Sequence, residues 1–285
     1  MRIPFVGAEA VAAGLLTPSQ LRHRYRAIYR GVYVPRAHEP TLHERIVGAS
    51  MSTGGVIAGV AAAAMHGAKW IDDDVAVEVV GSARPQRGLL VRDEVLRDHE
   101  VMMRRGVAVT TPARTAFDLA RRLHRNKAVE RIDALMNASR LDIEDVVLIA
   151  KDHPRARGLK RLREALPLID GGAESPPETR LRLACIDAGL PCPTTQFVVY
   201  DEDGSYVRRL DMAWEEFKVA AEYDGAQHLT DRDQYVLDVR VNRVLQRLQW
   251  YVVHAIKEDH LPEIVEQIRT QLLARGWRPQ LARPA

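Results

Sequence analysis

The apolar positions change their spacing along the chain, and each spacing predicts a kind of element. Between Thr111 and Ala120, the side chains Ala113, Ala116, Phe117 and Ala120 share one helical face, and Thr111 with Pro112 supplies a cap and a first-turn proline. Further helices are predicted at 126 to 138, 142 to 151 and 157 to 166, after strands at Ala76 to Val80, Gly88 to Arg92 and Val107 to Val109. The stretch Ser52 to Ala68, rich in Gly and Ala, carries His66 and is shorter than the roughly 20 residues of a membrane span, so it reads as a buried strand and helix. At the N-terminus, residues 7 to 14 read as a short helix, and Thr17-Pro18 opens a second. The β-formers between Arg22 and Val34, interrupted at Arg30-Gly31, predict a small hairpin, with no room after it for a full third helix.

The adjacent glycines in Ile169-Asp-Gly-Gly-Ala-Glu174 predict a linker, because two glycines in a row break any helix. Beyond it the pattern gives helix (176 to 188), strands (195 to 201, 206 to 214, 217 to 224), helix (231 to 248), strand (250 to 256) and helix (261 to 274). That order is αβββαβα. Turn residues at Asp201-Glu-Asp-Gly-Ser205 and Trp214-Glu-Glu216 separate the three strands.

Composition narrows the class. At 285 residues, 46% hydrophobic and 28% charged, the chain is long enough for two domains of a globular protein. No secretory leader is legible at Met1-Arg-Ile-Pro-Phe. The two cysteines, Cys185 and Cys192, make neither a disulfide framework nor a zinc site, and the expected location is the cytoplasm. The net charge of +3 is uneven: residues 1 to 50 hold seven arginines against three acids, whereas residues 174 to 285 hold fourteen basic and eighteen acidic residues. The basic end suits a phosphate backbone, and the acidic end would need cations to meet one. The run Arg121-Arg-Leu-His-Arg-Asn-Lys127 reads as a solvated helix end matched to the helix dipole.

Candidate chemistry lies in the acids of the two central C-terminal strands: Asp211 on one, Glu222 and Asp224 on the next. Side chains two apart on a strand share a face, so Glu222 and Asp224 look the same way, and a tight hairpin brings Asp211 beside them. Clustered carboxylates repel and are costly to bury unpaired, a conflict that Mg²⁺ or Mn²⁺ resolves. Asp211, Glu222 and Asp224 are the expected metal ligands. The duller readings are a capping box for Ser175-x-x-Glu178, turn chemistry for Asp224-Gly225, a loop histidine for His228 and a core histidine for His254.

The αβββαβα order with an acid on the second strand and an acid-x-acid pair on the third resembles the PD-(D/E)XK nuclease superfamily. More narrowly, Ser175-Pro-Pro-Glu178, Leu210-Asp-Met-Ala-Trp214 and Glu222-Tyr-Asp-Gly-Ala-Gln-His228 resemble the very-short-patch-repair-like endonuclease domain of bacterial proteins. Leu15-Leu-Thr-Pro with Arg30-Gly-Val-Tyr-Val34 is similar to the winged-helix segment of abortive-infection type antitoxins. The first resemblance implies a restriction-endonuclease-like core at 174–278 in which Asp211 and Glu222 bind the metal and Glu178 supports it or a metal-bound water. It departs from the superfamily at Asp224, where a lysine is expected; His228 and Gln227 just after it, Lys218 on the same strand face, and Arg240 and Arg243 from the next helix are the candidate replacements. The second implies a winged-helix-like DNA-binding segment at 1–38, the alternative being a small capping subdomain. A mixed α/β middle domain fills 39–170.

The expected function is therefore Mg²⁺- or Mn²⁺-dependent hydrolysis of DNA phosphodiesters, with Glu178, Asp211, Glu222, Asp224 and His228 at the reacting centre. Arg22, Arg24, Arg26 and Arg30, with Tyr25, Tyr29 and Tyr33, would contact the DNA backbone. RNA stays open as a second polynucleotide, and no membrane partner is expected. The rival reading is a non-catalytic DNA-binding regulator, an antitoxin-like repressor that keeps the nuclease fold as scaffold.

Overall fold

The computed structural model describes residues 3–224 and 232–279. The chain divides into two compact units, Met1–Ile169 and Asp170–Ala285. Both are mixed α/β, as the sequence pattern predicts.

The first unit begins with β1 (Phe5–Val6), α1 (Gly7–Ala12), α2 (Pro18–Arg24), β2 (Tyr25–Tyr29) and β3 (Val32–Pro35). Thr17 and Gln20 close a capping box at the start of α2. The strands form an antiparallel sheet in the order β1-β3-β2. A third helix does follow the hairpin, contrary to the sequence expectation. Helix α3 (Leu42–Thr53) is opened by a Thr41–Glu44 capping box, and its buried Leu42, Ile46 and Ala49 share a core with Tyr29 and Val32.

That same core continues into a five-stranded mixed sheet ordered β6-β5-β4-β8-β7, built from β4 (Val56–Ala58), β5 (Val77–Val80), β6 (Leu89–Arg92), β7 (Val101–Arg104) and β8 (Val107–Thr110). Helix α4 (Gly59–Met65) follows β4. After β8 come α5 (Pro112–Arg122), α6 (Arg125–Ala138), α7 (Ile143–Asp152) and α8 (Leu159–Ala165). Thr111 caps α5 through the Arg114 amide.

Helix α5 is the charged centre of this unit. Arg114, whose side chain is 1% exposed, pairs with Glu94, Glu100 and Asp118. Arg121 and Arg122 are buried or nearly so and pair with Glu94 and Asp118, and Arg122 also meets Glu78. The first two residues of the 121 to 127 run are thus inside an ion-pair lattice, not on a solvated helix end. Asp118 supplies one partner from the same helix, and Glu78 and Glu94 supply the others from far away in sequence.

The second unit has the order α9 (Pro176–Asp187), β9 (Thr194–Tyr200), β10 (Tyr206–Trp214), β11 (Val219–Tyr223), α10 (Arg232–Arg247), β12 (Tyr251–Ala255), α11 (Leu261–Ala274), which is the αβββαβα expected. Its sheet runs β12-β11-β10-β9, antiparallel except for the parallel β11–β12 pair. Leu181 of α9 and Ile264, Ile268 and Leu272 of α11 pack with Met212, Trp214, Ala221 and Val253. Leu245 of α10 packs with Ala213, Ala220 and Trp250 in a separate core. Each such buried aliphatic contributes about 1.5 to 3 kcal/mol.

The glycine pair predicted as a linker is tied into this second unit. The Asp170 carboxylate accepts from Gly172 N at 2.8 Å and from Thr195 Oγ1 at 3.0 Å. A Cβ on Gly172 would sit 1.9 Å from Thr195 Oγ1, so only glycine allows this approach. Among the described residues, no helix is long and apolar enough to cross a membrane.

Candidate functional site

Four of the expected acids gather at one end of the second unit's sheet. The β10–β11 ladder pairs Met212 with Ala221, and one step further along the same register puts Asp211 opposite Glu222. Asp211 Oδ2 accepts the Tyr223 amide at 2.8 Å. Opposite Asp211 on its other side, Gln196 of β9 adopts a left-handed backbone, φ 51°, within a ladder that otherwise keeps its register from Arg208–Val199 to Ala213–Thr194. Gln196 Nε2 reaches Glu178 Oε2 at 3.4 Å.

Glu178 is buried and engaged in closing its own helix. Ser175 Oγ donates to Glu178 Oε1 at 2.7 Å, and the Glu174 amide donates to Oε2 at 2.8 Å. The capping interpretation is therefore realised in part: the carboxylate reaches back to the Glu174 amide as well as to the Ser175 hydroxyl. Burial raises the Glu178 pKa, and the nearby Asp211 charge raises it further. Burial likewise raises Asp211, with Asp224 adding to the effect against the Tyr223 amide bond.

Glu222 is 4% exposed. Its Oε1 accepts from Arg208 Nε at 2.7 Å, while Oε2 is buried with no hydrogen-bond partner. Burial pushes its pKa up, opposed by Arg208 and supported by Asp211. Arg208 also donates from Nη1 to Asp238 Oδ1 on α10 at 2.9 Å. These bonds hold the guanidinium's pKa above its ordinary value in spite of burial.

Asp224 follows β11 and meets His254 Nδ1 at 2.9 Å. His254 pairs in register with Glu222 across the parallel ladder and lies 3.9 Å from Glu222 Oε2. Its bond to Asp224 raises its pKa. The expectation of an enclosed core histidine is corrected: its side chain is 37% exposed and faces acids. His228 lies outside the described residues. Lys218, expected to share the strand face, instead has a left-handed backbone and places its ammonium 5.7 Å from the Trp250 ring.

Sequence reasoning missed Arg208, His254, Gln196 and Asp238. The signal for His254 was available in the parallel pairing of its strand with β11. The tie between Arg208 and α10 had none, because it depends on how a helix lies over a sheet. Arg240 and Arg243, named as possible substitutes for the absent lysine, line a separate cleft on α10 with Arg247.

In the first unit, Arg22 and Arg24 are exposed on the last turn of α2, and Arg30 is exposed in the hairpin turn. Arg26 is half-buried, donates to the His38 carbonyl at 2.8 Å and pairs with Glu39 at 2.9 Å. Of the three tyrosines, Tyr29 is corrected from a DNA contact to a packing residue, and the half-buried Tyr25 and Tyr33 have one ring face engaged. Tyr29 is 4% exposed, and the Tyr25 and Tyr33 rings pack against Phe5 with centroids 5.1 and 6.3 Å away.

Only one group of three among the described residues brings His, Asp or Glu ligand atoms within 4.8 Å of one another: His99, Glu100 and Asp152 in the first unit. Its members are already compensated. Glu100 binds His153 and Arg114, and Asp152 binds Arg97.

Comparison with known proteins finds a domain match within the first unit. Residues 49–168 match the model of the AbiEi antitoxin C-terminal domain. The expected similarity to abortive-infection antitoxins therefore rests on the region read from sequence as an unassigned middle domain, not on the hairpin segment before it. Two proteins of Mycobacterium tuberculosis, from two strains and each named only as an uncharacterized protein, are 31% identical over 237 residues, covering 81% of this chain and 85% of theirs. The chain belongs to the same family as these mycobacterial proteins.

Proposed function

We propose that the protein is an antitoxin-like DNA-binding regulator. The match of residues 49–168 to an antitoxin domain carries this reading. The exposed Arg22, Arg24 and Arg30, placed around a two-helix and hairpin unit, supply the phosphate-binding charge. Gel shifts with duplex DNA from upstream of its own coding sequence, and with unrelated duplex, test it. Retardation at low salt, weakened by Arg22→Ala with Arg24→Ala and falling log-linearly with salt, is the expected result. No retardation of either duplex at 50 mM salt, about the low end of ordinary binding conditions, overturns it.

A second reading is favoured by one observation, the unpartnered, buried Oε2 of Glu222 beside Asp211 and Glu178. In this reading the second unit is a restriction-endonuclease-like module hydrolysing DNA phosphodiesters. The donor set is all oxygen and Glu222 Oε2 is buried without a hydrogen bond, so Asp211 and Glu222 suit a hard divalent cation such as Mg²⁺ or Mn²⁺, although with Asp224 they do not bring three ligand atoms within 4.8 Å of one another. Asp211 and Glu222 would hold it, with Asp224 as a further ligand and Glu178 in support. The bound cation supplies Lewis-acid polarisation of a phosphate oxygen and a more acidic water. Arg208 is the fixed positive charge next to Glu222, and a guanidinium stabilises developing negative charge without giving up its proton. Metal-dependent nicking of plasmid DNA, abolished by Glu222→Gln, supports the module as an enzyme. Retardation without cleavage in either metal leaves it a scaffold.

A further inference from the structure

In the first unit a cleft of about 1030 Å³ opens beside the C-terminal end of α5. Its floor carries Arg92, Arg121 and Arg122 with the acids Glu94 and Asp152, and its rim carries Arg155, Arg157 and Arg161 from the α7–α8 connection and α8. The floor arginines belong to a balanced lattice. Arg92, Arg97, Arg114, Arg121 and Arg122 pair with Glu78, Glu94, Glu100, Asp118 and Asp152, five cations against five acids. The three rim arginines are therefore surplus. They are exposed, and none has a carboxylate partner at ion-pair distance among the described residues.

The rim is held in place, not loosely hung. Arg121 Nη1 donates to the Arg157 carbonyl at 3.4 Å, and Arg161 Nη1 donates to the Arg122 carbonyl at 3.4 Å. Gly158 has φ 87°, and a Cβ there would lie 2.1 Å from the Arg121 carbonyl oxygen, so this loop lies directly on the helix end. Beneath it, Arg92 Nε and both terminal nitrogens of Arg122 are buried without a well-formed hydrogen bond, despite their ion pairs. Burial lowers the Arg122 pKa to about 10, the mark of a poorly solvated cation.

We propose that this cleft binds the phosphate chain of a small polyphosphate anion, either free di- or triphosphate or the tail of a nucleoside triphosphate. Guanidinium groups match phosphate oxygens in pairs of parallel hydrogen bonds, and surplus charge around a recess concentrates the field within it. The volume is in the range of small-ligand sites. No Phe, Tyr or Trp lines the cleft to stack a base, which disfavours a single-stranded polynucleotide. A short anion entering the recess is met by the three unpaired rim guanidiniums at once, whereas a rigid duplex backbone touches the rim from outside.

Isothermal titration of the full chain with sodium triphosphate, and separately with ATP, tests the proposal. Saturable binding is expected, weakened about tenfold or more in the combined Arg155→Ala, Arg157→Ala, Arg161→Ala variant, with its melting temperature unchanged. ATP binding no tighter than triphosphate assigns the site to the phosphate chain alone, and tighter binding assigns it to a nucleotide. If the combined variant melts early, Arg155→Ala alone serves, with a smaller loss expected. No heat with either ligand at millimolar concentration overturns the proposal, as does unchanged affinity in a folded variant. Loss of duplex DNA binding in a protein that never bound triphosphate also overturns it and reassigns the rim to nucleic acid.

Discussion

Arg208 stands between two acids from different elements, Glu222 on β11 and Asp238 on α10, and neither relation is visible along the chain. Truncating it strands a nearly buried carboxylate. Breaking a buried pair from one side costs about 3 to 5 kcal/mol, and the partial exposure of Arg208 reduces that to about 2 to 3. Urea denaturation of Arg208→Ala followed by tryptophan emission checks this, since Trp214, Trp250 and Trp277 report on the second unit and only Trp70 on the first. Glu222 also sets a pH dependence of definite sign. Its folded-state pKa is raised above 4.5, so its contribution to stability is complete below that value and is lost as pH rises through the folded pKa. Wild type is thus expected to lose more stability between pH 5 and 7.5 than Glu222→Gln does, and equal slopes in thermal melts at the two pH values contradict it. Acid spacing made Asp211, Glu222 and Asp224 legible as a group, and Glu178 joined them only through the family resemblance. The spacing did not reveal their partners, because Arg208 and His254 reach them across strands.

Helices and strands were largely legible because apolar periodicity and caps are local. Thr111-Pro112, Thr17-Pro18 and Ser175-Pro176 all mark real helix starts. Helix α3 was not predicted although Thr41-x-x-Glu44 carries the same kind of signal. The interior of α5 shows the limit more sharply. An arginine-rich helix end looks solvated in sequence, yet eight consecutive residues, Arg114 to Arg121, are buried. Arg114→Ala removes the common partner of Glu94, Glu100 and Asp118, and a loss of about 3 to 5 kcal/mol is expected. Differential scanning calorimetry that shows a loss under 1 kcal/mol, about the worth of a surface pair, would mean the lattice is redundant.

The whole molecule joins a first unit with an antitoxin match to a second unit with clustered, largely buried acids. If those acids hold a divalent cation, Mn²⁺ or Mg²⁺ at a hundredfold excess over its dissociation constant stabilises the second unit by about 2.7 kcal/mol. A thermal shift at neutral pH that disappears in Glu222→Gln is the expected outcome, and an equal shift in that variant places the ion elsewhere.

The carboxylate of Asp211 also does a job for the backbone, since the Tyr223 amide ends on it. An alanine at 211 would therefore remove an acceptor as well as a negative charge, and lost activity in that variant would not reveal which absence mattered. Asparagine separates the two, because its carbonyl oxygen still receives the amide while the charge is gone. A protein that melts normally with asparagine but early with alanine would show that the acceptor secures the end of the ladder, and activity lost in that well-folded asparagine variant would then belong to the charge alone.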